Sequence, residues 1–383
     1  MKVPFLDLQA QNQLVGDELR SAFYRIMDNS QFILGPGVEQ FEREFAAYIG
    51  TKHCIGLNNG TSALHMALLA YDIGPGDEII TTPHTWISTT WAISYVGATP
   101  VYVDIDPVTY NLDTEKVAAA ITPKTKAILP VHLYGQGADI IQLRRIADDH
   151  RLVLIEDTAQ AHGAEFDGQR LGSIGEAGCF SFYPGKNLGA FGEGGAVVTN
   201  DQNVADRIRR LRDHAQQGRH NHVEVGYNTR MEGLQGAILS VKLRQLDRWN
   251  SLRRQHAQYY CELLKDVDGL ELPAAPTPEA HVWHLFVVLI NDMPRDDVQK
   301  QLAERGIATA VHYPTPVPYQ PAYAHLGYKR GDFPIAEDVT SRCLSLPMFA
   351  ELTNAQIEYV AASLKEIFSA SHKKPAKTLT AKE

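Results

Sequence analysis

The chain is poor in several things, and each shortage narrows its chemistry. Its four cysteines, Cys54, Cys179, Cys261 and Cys343, stand far apart with no CxxC pair. That argues against a zinc knuckle or a thioredoxin-like dithiol, and scattered thiols suit a reducing cytoplasm. No apolar run approaches the roughly 18 residues that span a bilayer, so no membrane segment is expected. The opening MKVPFLDLQAQ has one lysine and no long apolar stretch, so no signal peptide is expected there. A basic excess is missing as well. Lys+Arg number 36 against 45 Asp+Glu, a net charge of −9, so nucleic-acid polymers are not expected partners. No GxGxxG follows the first apolar run, no P-loop is present, no internal repeat appears and no metal site is indicated. For 383 residues, what remains is a cytoplasmic enzyme of two or three domains.

What is present is a strand–helix alternation. Short apolar runs at His53–Leu57, Glu78–Thr82, Pro100–Asp104, Ala127–Val131, Leu152–Glu156, Cys179–Phe182 and Gly195–Thr199 read as strands. Several are continuously apolar, as strands buried on both faces must be. Helical patterns such as Thr61–Tyr71 and Ile140–His150 lie between them. The pattern predicts an α/β fold, with a mostly parallel central sheet between helices. After about residue 230 it changes to a long helical stretch over Leu234–Leu264 and a proline-bearing loop (Pro273, Pro276, Pro278). A strand at Val282–Ile290, a helix at Arg295–Arg305, a short strand at Ala308–Val311 and a helix at Asn354–Phe368 follow. We read residues 1–245 as a large cofactor domain, 246–370 as a smaller α+β domain and the Lys-rich 371–383 as a disordered tail.

Three segments carry the chemistry. Leu152–His162 runs an apolar strand into Glu156 and Asp157, then Gln160 and His162. Carboxylates at the end of a parallel strand point into the crevice where such folds bind ligands, although Asp157 is equally suited to cap a helix. Phe180–Gly195 sets Lys186 among glycines after an aromatic strand. An amine desolvated there loses its proton more readily and becomes nucleophilic, whereas most lysines lie exposed. Asn58–Ala63 brings the Thr61 and Ser62 hydroxyls to a helix start, where free N–H groups bind anions; simple capping is the plainer use. Together they supply what pyridoxal phosphate requires: a lysine for its aldehyde, an acid for its ring nitrogen and a phosphate cradle.

On these motifs the chain resembles the DegT/DnrJ/EryC1/StrS family of pyridoxal-phosphate nucleotide-sugar aminotransferases, which have the aspartate-aminotransferase fold. The similarity runs from Pro4-Phe-Leu-Asp-Leu8 to about Phe368. FSFYPGKNLG implies Lys186 as the Schiff-base lysine. EDTAQAH implies Asp157 as the partner of the pyridine nitrogen and Gln160 as a contact to the phenolic oxygen. NGTSA implies phosphate contacts at Gly60, Thr61 and Ser62, with Ser181 as another. TPHTWIS implies Trp86 stacked on the cofactor ring. VGYNTRM implies that Asn228 reaches the phosphate across a homodimer interface and that Arg230 binds substrate anions.

The segment HYPTPVPYQ resembles the family's substrate side and brings in His312 and Tyr313. Pro318 and Tyr319 stand there where many relatives have a further histidine, and Arg212-Asp-His-Ala215 departs from the family's Arg-Asn-His-Gly. Some members replace the lysine by histidine and deoxygenate sugars. Lys186 is retained here, so the resemblance implies transamination from L-glutamate, which leaves as 2-oxoglutarate, with pyridoxamine phosphate formed on the way. The overall likeness favours a dTDP- or UDP-linked 3-keto sugar, ahead of a 4-keto sugar. A nicotinamide oxidoreductase and a non-catalytic relative are the readings from other classes.

Overall fold

The computed structural model describes residues 1–277 and 280–372. The central sheet takes seven strands: β1 (His53–Leu57), β2 (Glu78–Thr81), β3 (Thr99–Tyr102), β4 (Thr125–Leu129), β5 (Val153–Asp157), β8 (Ala177–Ser181) and β9 (Gly195–Thr199). A two-residue hairpin of β6 (Glu165–Phe166) and β7 (Gln169–Arg170) lies between β5 and β8. The sheet order is β1-β9-β8-β5-β4-β2-β3. Only β9 runs against its neighbours in this sheet; the other adjacent pairs are parallel. The predicted α/β class with its mostly parallel sheet is therefore present.

The strand interiors explain it. Ile79, Ile80, Ala127, Ile128, Leu129, Leu154 and Ile155 are fully buried, because helices cover both faces of the sheet. The helix Gly60–Ala70 buries Ala63, Leu64, Met66, Ala67 and Leu68. Carboxyl ends of β2, β4, β5 and β8 come to one edge, and the functional side chains gather there.

A second layer is formed by β10 (Leu270–Glu271), β11 (Phe286–Ile290) and β12 (Cys343–Leu346), an antiparallel sheet. The helices Leu246–Leu264, Arg295–Glu304 and Asn354–His372 accompany it. Val3 is buried in the core of this layer and bonded on both sides, its N–H to Gly306 and its carbonyl from Ala308, each at 3.0 Å. The N-terminal segment thus packs with the C-terminal layer.

Several elements differ from their sequence expectation. The single helical stretch over Leu234–Leu264 is two helices, Gly233–Leu243 and Leu246–Leu264. The first packs Leu239 and Leu243 beside Phe41 and Phe45, and the second packs Ala257, Tyr260 and Leu264 into the C-terminal core. One straight helix cannot serve both. The strand expected from Val282 begins only at Phe286, because Val282 and Leu285 give their N–H groups to Gly135 and Tyr134 at 3.0 and 3.2 Å. The strand expected at Ala308–Val311 is a single bridge between Ala310 and Ser345. The N-terminal helices Leu8–Leu14, Gly16–Asp28 and Pro36–Ile49 were not anticipated. The last helix continues to His372, into the expected tail; residues 373–383, and Pro278, lie outside the described residues. Among the described residues no helix is long and apolar enough to cross a membrane.

Candidate active site

β5 ends in two carboxylates whose side chains leave opposite faces of the strand, as strand periodicity demands. Glu156 is fully buried and accepts the N–H groups of Gly172, Ile174 and Gly175 at 2.7, 2.9 and 2.7 Å. It also meets His132 Nε2 at 2.9 Å. His132 Nδ1 accepts the Ala138 N–H at 3.1 Å, so the ring's proton is on Nε2 and is donated to Glu156. This carboxylate fastens the loop before β8.

Asp157 faces the other way, into a cavity of about 760 Å³. Thr89 Oγ1 donates to its Oδ2 at 2.8 Å, and the Ala159 N–H reaches Oδ1 at 3.2 Å. Because the Thr89 proton is committed to the carboxylate, the 2.9 Å contact between Thr85 and Thr89 has Thr85 as donor. Burial raises the Asp157 pKa, opposed by these hydrogen bonds and by the Lys186 charge. Such a carboxylate is stabilised by a cationic or N–H partner in the cavity.

Lys186 lies in the turn after β8, its N–H bonded to the Tyr183 carbonyl at 2.9 Å. Its side chain lines the same cavity, and its amine forms no hydrogen bond or ion pair among the described residues. Burial lowers its pKa to about 8, with Asp157 pulling the other way. The next residue, Asn187, is anchored on three sides. Its Nδ2 donates to Asn250 Oδ1 and to the Val282 carbonyl, both at 2.9 Å, and its Oδ1 meets His284 Nδ1 at 3.1 Å.

The helix Gly60–Ala70 points its start at the cavity. Asn59 caps it, its side chain accepting the Ser62 N–H at 2.7 Å. Gly60 and Thr61, whose N–H groups the cap does not use, line the wall together with Ser88 and Ser181. Glycine is needed at 60: a Cβ there would lie 2.6 Å from the Ser181 Cβ. A positive helix end with hydroxyls beside it is an anion seat.

The opposite wall comes from residues distant in sequence. Gln160 Oε1 accepts the Tyr134 N–H at 2.7 Å, and its Nε2 donates to the Tyr313 hydroxyl at 3.0 Å. Tyr313 tilts against Trp86, ring centroids 5.8 Å apart. Trp86 is 57% exposed although it stands in the cavity wall, an apolar face with room for a flat ring. His312 stacks on Phe5 and bonds Ser345 Oγ at 2.8 Å. Burial first, then the nearby Lys186 charge, lower the His312 pKa to about 4.

The structure thus brings Lys186, Asp157, Gly60, Thr61, Trp86, Gln160, Ser181, His312 and Tyr313 to one cavity. Ser62 does not line the wall, and its N–H serves the cap. Nor does the structure bring Asn228 and Arg230 there. Arg230 is held by Asp213 at 2.9 Å and by Asn228 Oδ1 at 2.8 Å. Arg212, in the departing Arg-Asp-His-Ala stretch, is structural: it pairs with Glu42 at 2.5 Å and donates to the Gly56 carbonyl at 2.7 Å. The Tyr319 hydroxyl lies 2.6 Å from both the Lys329 carbonyl and Glu337 Oε1, which share its one proton. Thr89, Asn187, Tyr134 and His284 also hold the site together and are not among the residues that the sequence motifs single out. The run Ser88-Thr89-Thr90, polar yet buried, was the available signal for Thr89.

Fold and cavity define an α/β enzyme with a desolvated amine and a buried acid at the carboxyl ends of its strands. The chain belongs to the DegT/DnrJ/EryC1/StrS aminotransferase family, whose model matches residues 13–365. It is 44% identical over 365 residues to the dTDP-3-amino-3,4,6-trideoxy-alpha-D-glucose transaminase of Streptomyces venezuelae, covering 95% of this chain and 96% of that one. It is also 44% identical over 363 residues to the UDP-N-acetyl-3-dehydro-alpha-D-glucosamine 3-aminotransferase of Acidithiobacillus ferrooxidans, covering 95% and 97%. Among solved structures, S. venezuelae DesV in complex with a ketimine intermediate superposes with a TM-score of 0.93 at 43% identity, covering 98% and 100% of the two chains. NtdA of Bacillus subtilis with bound PMP gives 0.89 at 31%, covering 96% and 85%.

Proposed function

We propose that this aminotransferase moves an amino group from L-glutamate to a dTDP- or UDP-linked 3-keto sugar, giving a 3-amino sugar nucleotide and 2-oxoglutarate. The observation that carries the reading is the unpaired, desolvated Lys186 amine sharing one cavity with buried Asp157. The 3-keto preference is supported by relatives that act on 3-amino and 3-keto sugar nucleotides.

The residues fit pyridoxal phosphate. Lys186 would hold its aldehyde, Asp157 its ring nitrogen and Trp86 its ring face. Gln160, whose Oε1 is already taken by a backbone N–H, has a spare N–H and would donate to its phenolic oxygen. Gly60, Thr61 and Ser181 would hold the phosphate. When bound, the cofactor supplies a carbonyl that takes up the amino group and a ring that draws off the electrons left by the departing α-proton.

The chain's own groups do the rest. Asp157 would keep the ring nitrogen protonated. Lys186 Nζ, free once the donor amine has replaced it, would take the proton from Cα of glutamate and return it at the other carbon bonded to the transferred nitrogen. In the second half it runs the same transfer in reverse and leaves the hydrogen on the sugar's C3. Glutamate and the sugar nucleotide occupy one site in turn, so kinetics are ping-pong.

Asn228 and Arg230 complete a neighbouring subunit's site in a homodimer; their position outside this chain's own cavity supports that. The chain divides near residue 245 into a cofactor domain and a smaller domain. Its free, scattered cysteines support a cytoplasmic setting, and the 3-amino sugar would serve a surface glycan, lipopolysaccharide or glycosylated metabolite. The test is incubation with glutamate and a panel of dTDP- and UDP-linked 3-keto and 4-keto sugars, with products assigned by NMR. Product from the 4-keto members alone would overturn the assignment.

A further inference from the structure

Tyr134 sits at a junction that the reaction scheme leaves unused. It is buried (5% exposed) and held at φ 59°, a left-handed conformation unusual outside glycine. All its polar groups are engaged. Its N–H donates to Gln160 Oε1 at 2.7 Å, and its carbonyl accepts the Leu285 N–H at 3.2 Å. Its hydroxyl donates to the His312 carbonyl and meets His84 Nε2 at 2.7 Å. Since the phenol proton goes to a carbonyl, His84 is the donor and carries its proton on Nε2. Burial lowers the His84 pKa to about 3, consistent with that neutral ring.

These bonds close a ring. Tyr134 holds Gln160, Gln160 donates to the Tyr313 hydroxyl at 3.0 Å, Tyr313 follows His312, and the His312 carbonyl returns to Tyr134. Gln160 follows β5 of the central sheet, whereas His312 and Tyr313 stand beside the C-terminal sheet, with His312 bonded to Ser345 on β12. The two sheets therefore meet beside the cavity through two bonds, Gln160 to the Tyr313 hydroxyl and the Tyr134 phenol to the His312 carbonyl.

We propose that Tyr134 is a positioning residue that latches the His312–Tyr313 wall to Gln160 and so sets the width of the cavity seen by the larger substrate. The inference rests on the transaminase reading for its kinetic consequence only. The latch itself is a property of the resting protein. The N–H that orients Gln160 belongs to the backbone and survives substitution of the side chain, so the cofactor seat and the wall can be separated. Glutamate, being small, touches less of a cavity of about 760 Å³ than a sugar nucleotide does, so a displaced wall affects the second substrate more.

The experiment compares wild type with Tyr134→Phe, which keeps ring and backbone but leaves the His312 carbonyl and His84 Nε2 without their partner. Hydrogen–deuterium exchange, read by mass spectrometry on the holoenzyme without substrate, is expected to rise in peptides covering 308–316 and to stay unchanged over the helix Gly60–Ala70. The KM for the sugar nucleotide is expected to rise roughly ten-fold, with the single-turnover rate with glutamate within about two-fold of wild type. Ser345→Ala, which frees the His312 ring but not its carbonyl, serves as a second variant and is expected to give the smaller exchange increase. Unchanged exchange at 308–316 in Tyr134→Phe, or equal losses in both half-reactions, would overturn the latch. A wild-type enzyme that exchanges as expected but aminates no sugar in the panel would overturn the functional reading and leave the latch standing.

Discussion

Thr89 Oγ1 lies 2.8 Å from Asp157 Oδ2 and gives that carboxylate its only side-chain hydrogen bond among the described residues. The bond favours the charged form and opposes the burial that raises the Asp157 pKa. It therefore favours an ionised acid when a ring nitrogen arrives. Thr89→Val preserves shape and removes the donor. A hydrogen bond to a charged group contributes about 1.5–3 kcal/mol, so cofactor affinity should weaken by roughly ten-fold or more. Absorbance titration of the apoprotein with pyridoxal phosphate measures it, and an unchanged Kd would refute the role.

Lys186 should be the point of covalent attachment. Borohydride reduction of the holoenzyme followed by peptide mapping is expected to place the added mass on the Lys186 peptide, and Lys186→Ala should abolish transamination. The amine must be neutral to attack, and its pKa is lowered to about 8 by burial. The apoprotein should therefore take up cofactor more slowly as pH falls below about 8, by roughly ten-fold per unit. A rate that keeps rising ten-fold per unit well above pH 8, with no plateau, would show that the amine is not desolvated.

Glu156 carries stability rather than chemistry. Glu156→Gln turns an N–H pair toward backbone donors and loses one of the acceptors that hold Gly172, Ile174 and Gly175. Breaking one partner out of a buried charged network costs about 3–5 kcal/mol. The melting temperature should fall by several degrees. Were the stability unchanged and activity lost, Glu156 would need a catalytic account.

A shared site can be tested by mixing. Lys186→Ala and Asn228→Ala should each be inactive as pure proteins if Asn228 completes the neighbour's site. After joint refolding, a statistical mixture restores about a quarter of the wild-type sites, since half the dimers are mixed and each holds one intact site. No recovery from verified mixed dimers would show that Asn228 serves its own chain or none.

The parts legible in the sequence are those where one residue type can do one job. Strands buried on both faces need continuous apolar runs, which is why β1 and β9 were placed to the residue and β5 within one. Lys186, Asp157 and the Asn58–Ala63 turn follow strands directly, so their position at the sheet's edge followed from topology. Contacts across the chain were not legible. Nothing local tells that Tyr134 meets residues 160, 285 and 312, or that Thr89 reaches Asp157 from 68 positions away. The helix Gly233–Leu243 ends where one core gives way to another, and apolar periodicity carries no sign of that. His312 and Tyr313 were found by family likeness alone.

Asn187 gives the site a mechanical property. The residue next to the reactive lysine is tied by its amide to Asn250, in the helix Leu246–Leu264, and to the Val282 carbonyl before β11. The neighbour of the lysine is thus tied both to the long helix and to the segment that leads into β11. Any slide of that long helix along its axis would be geared directly into the reach of the amine. Substitutions far from the cavity, on the helix's buried face, should then tune reactivity as a change of lever arm, leaving every cavity-lining side chain as it was.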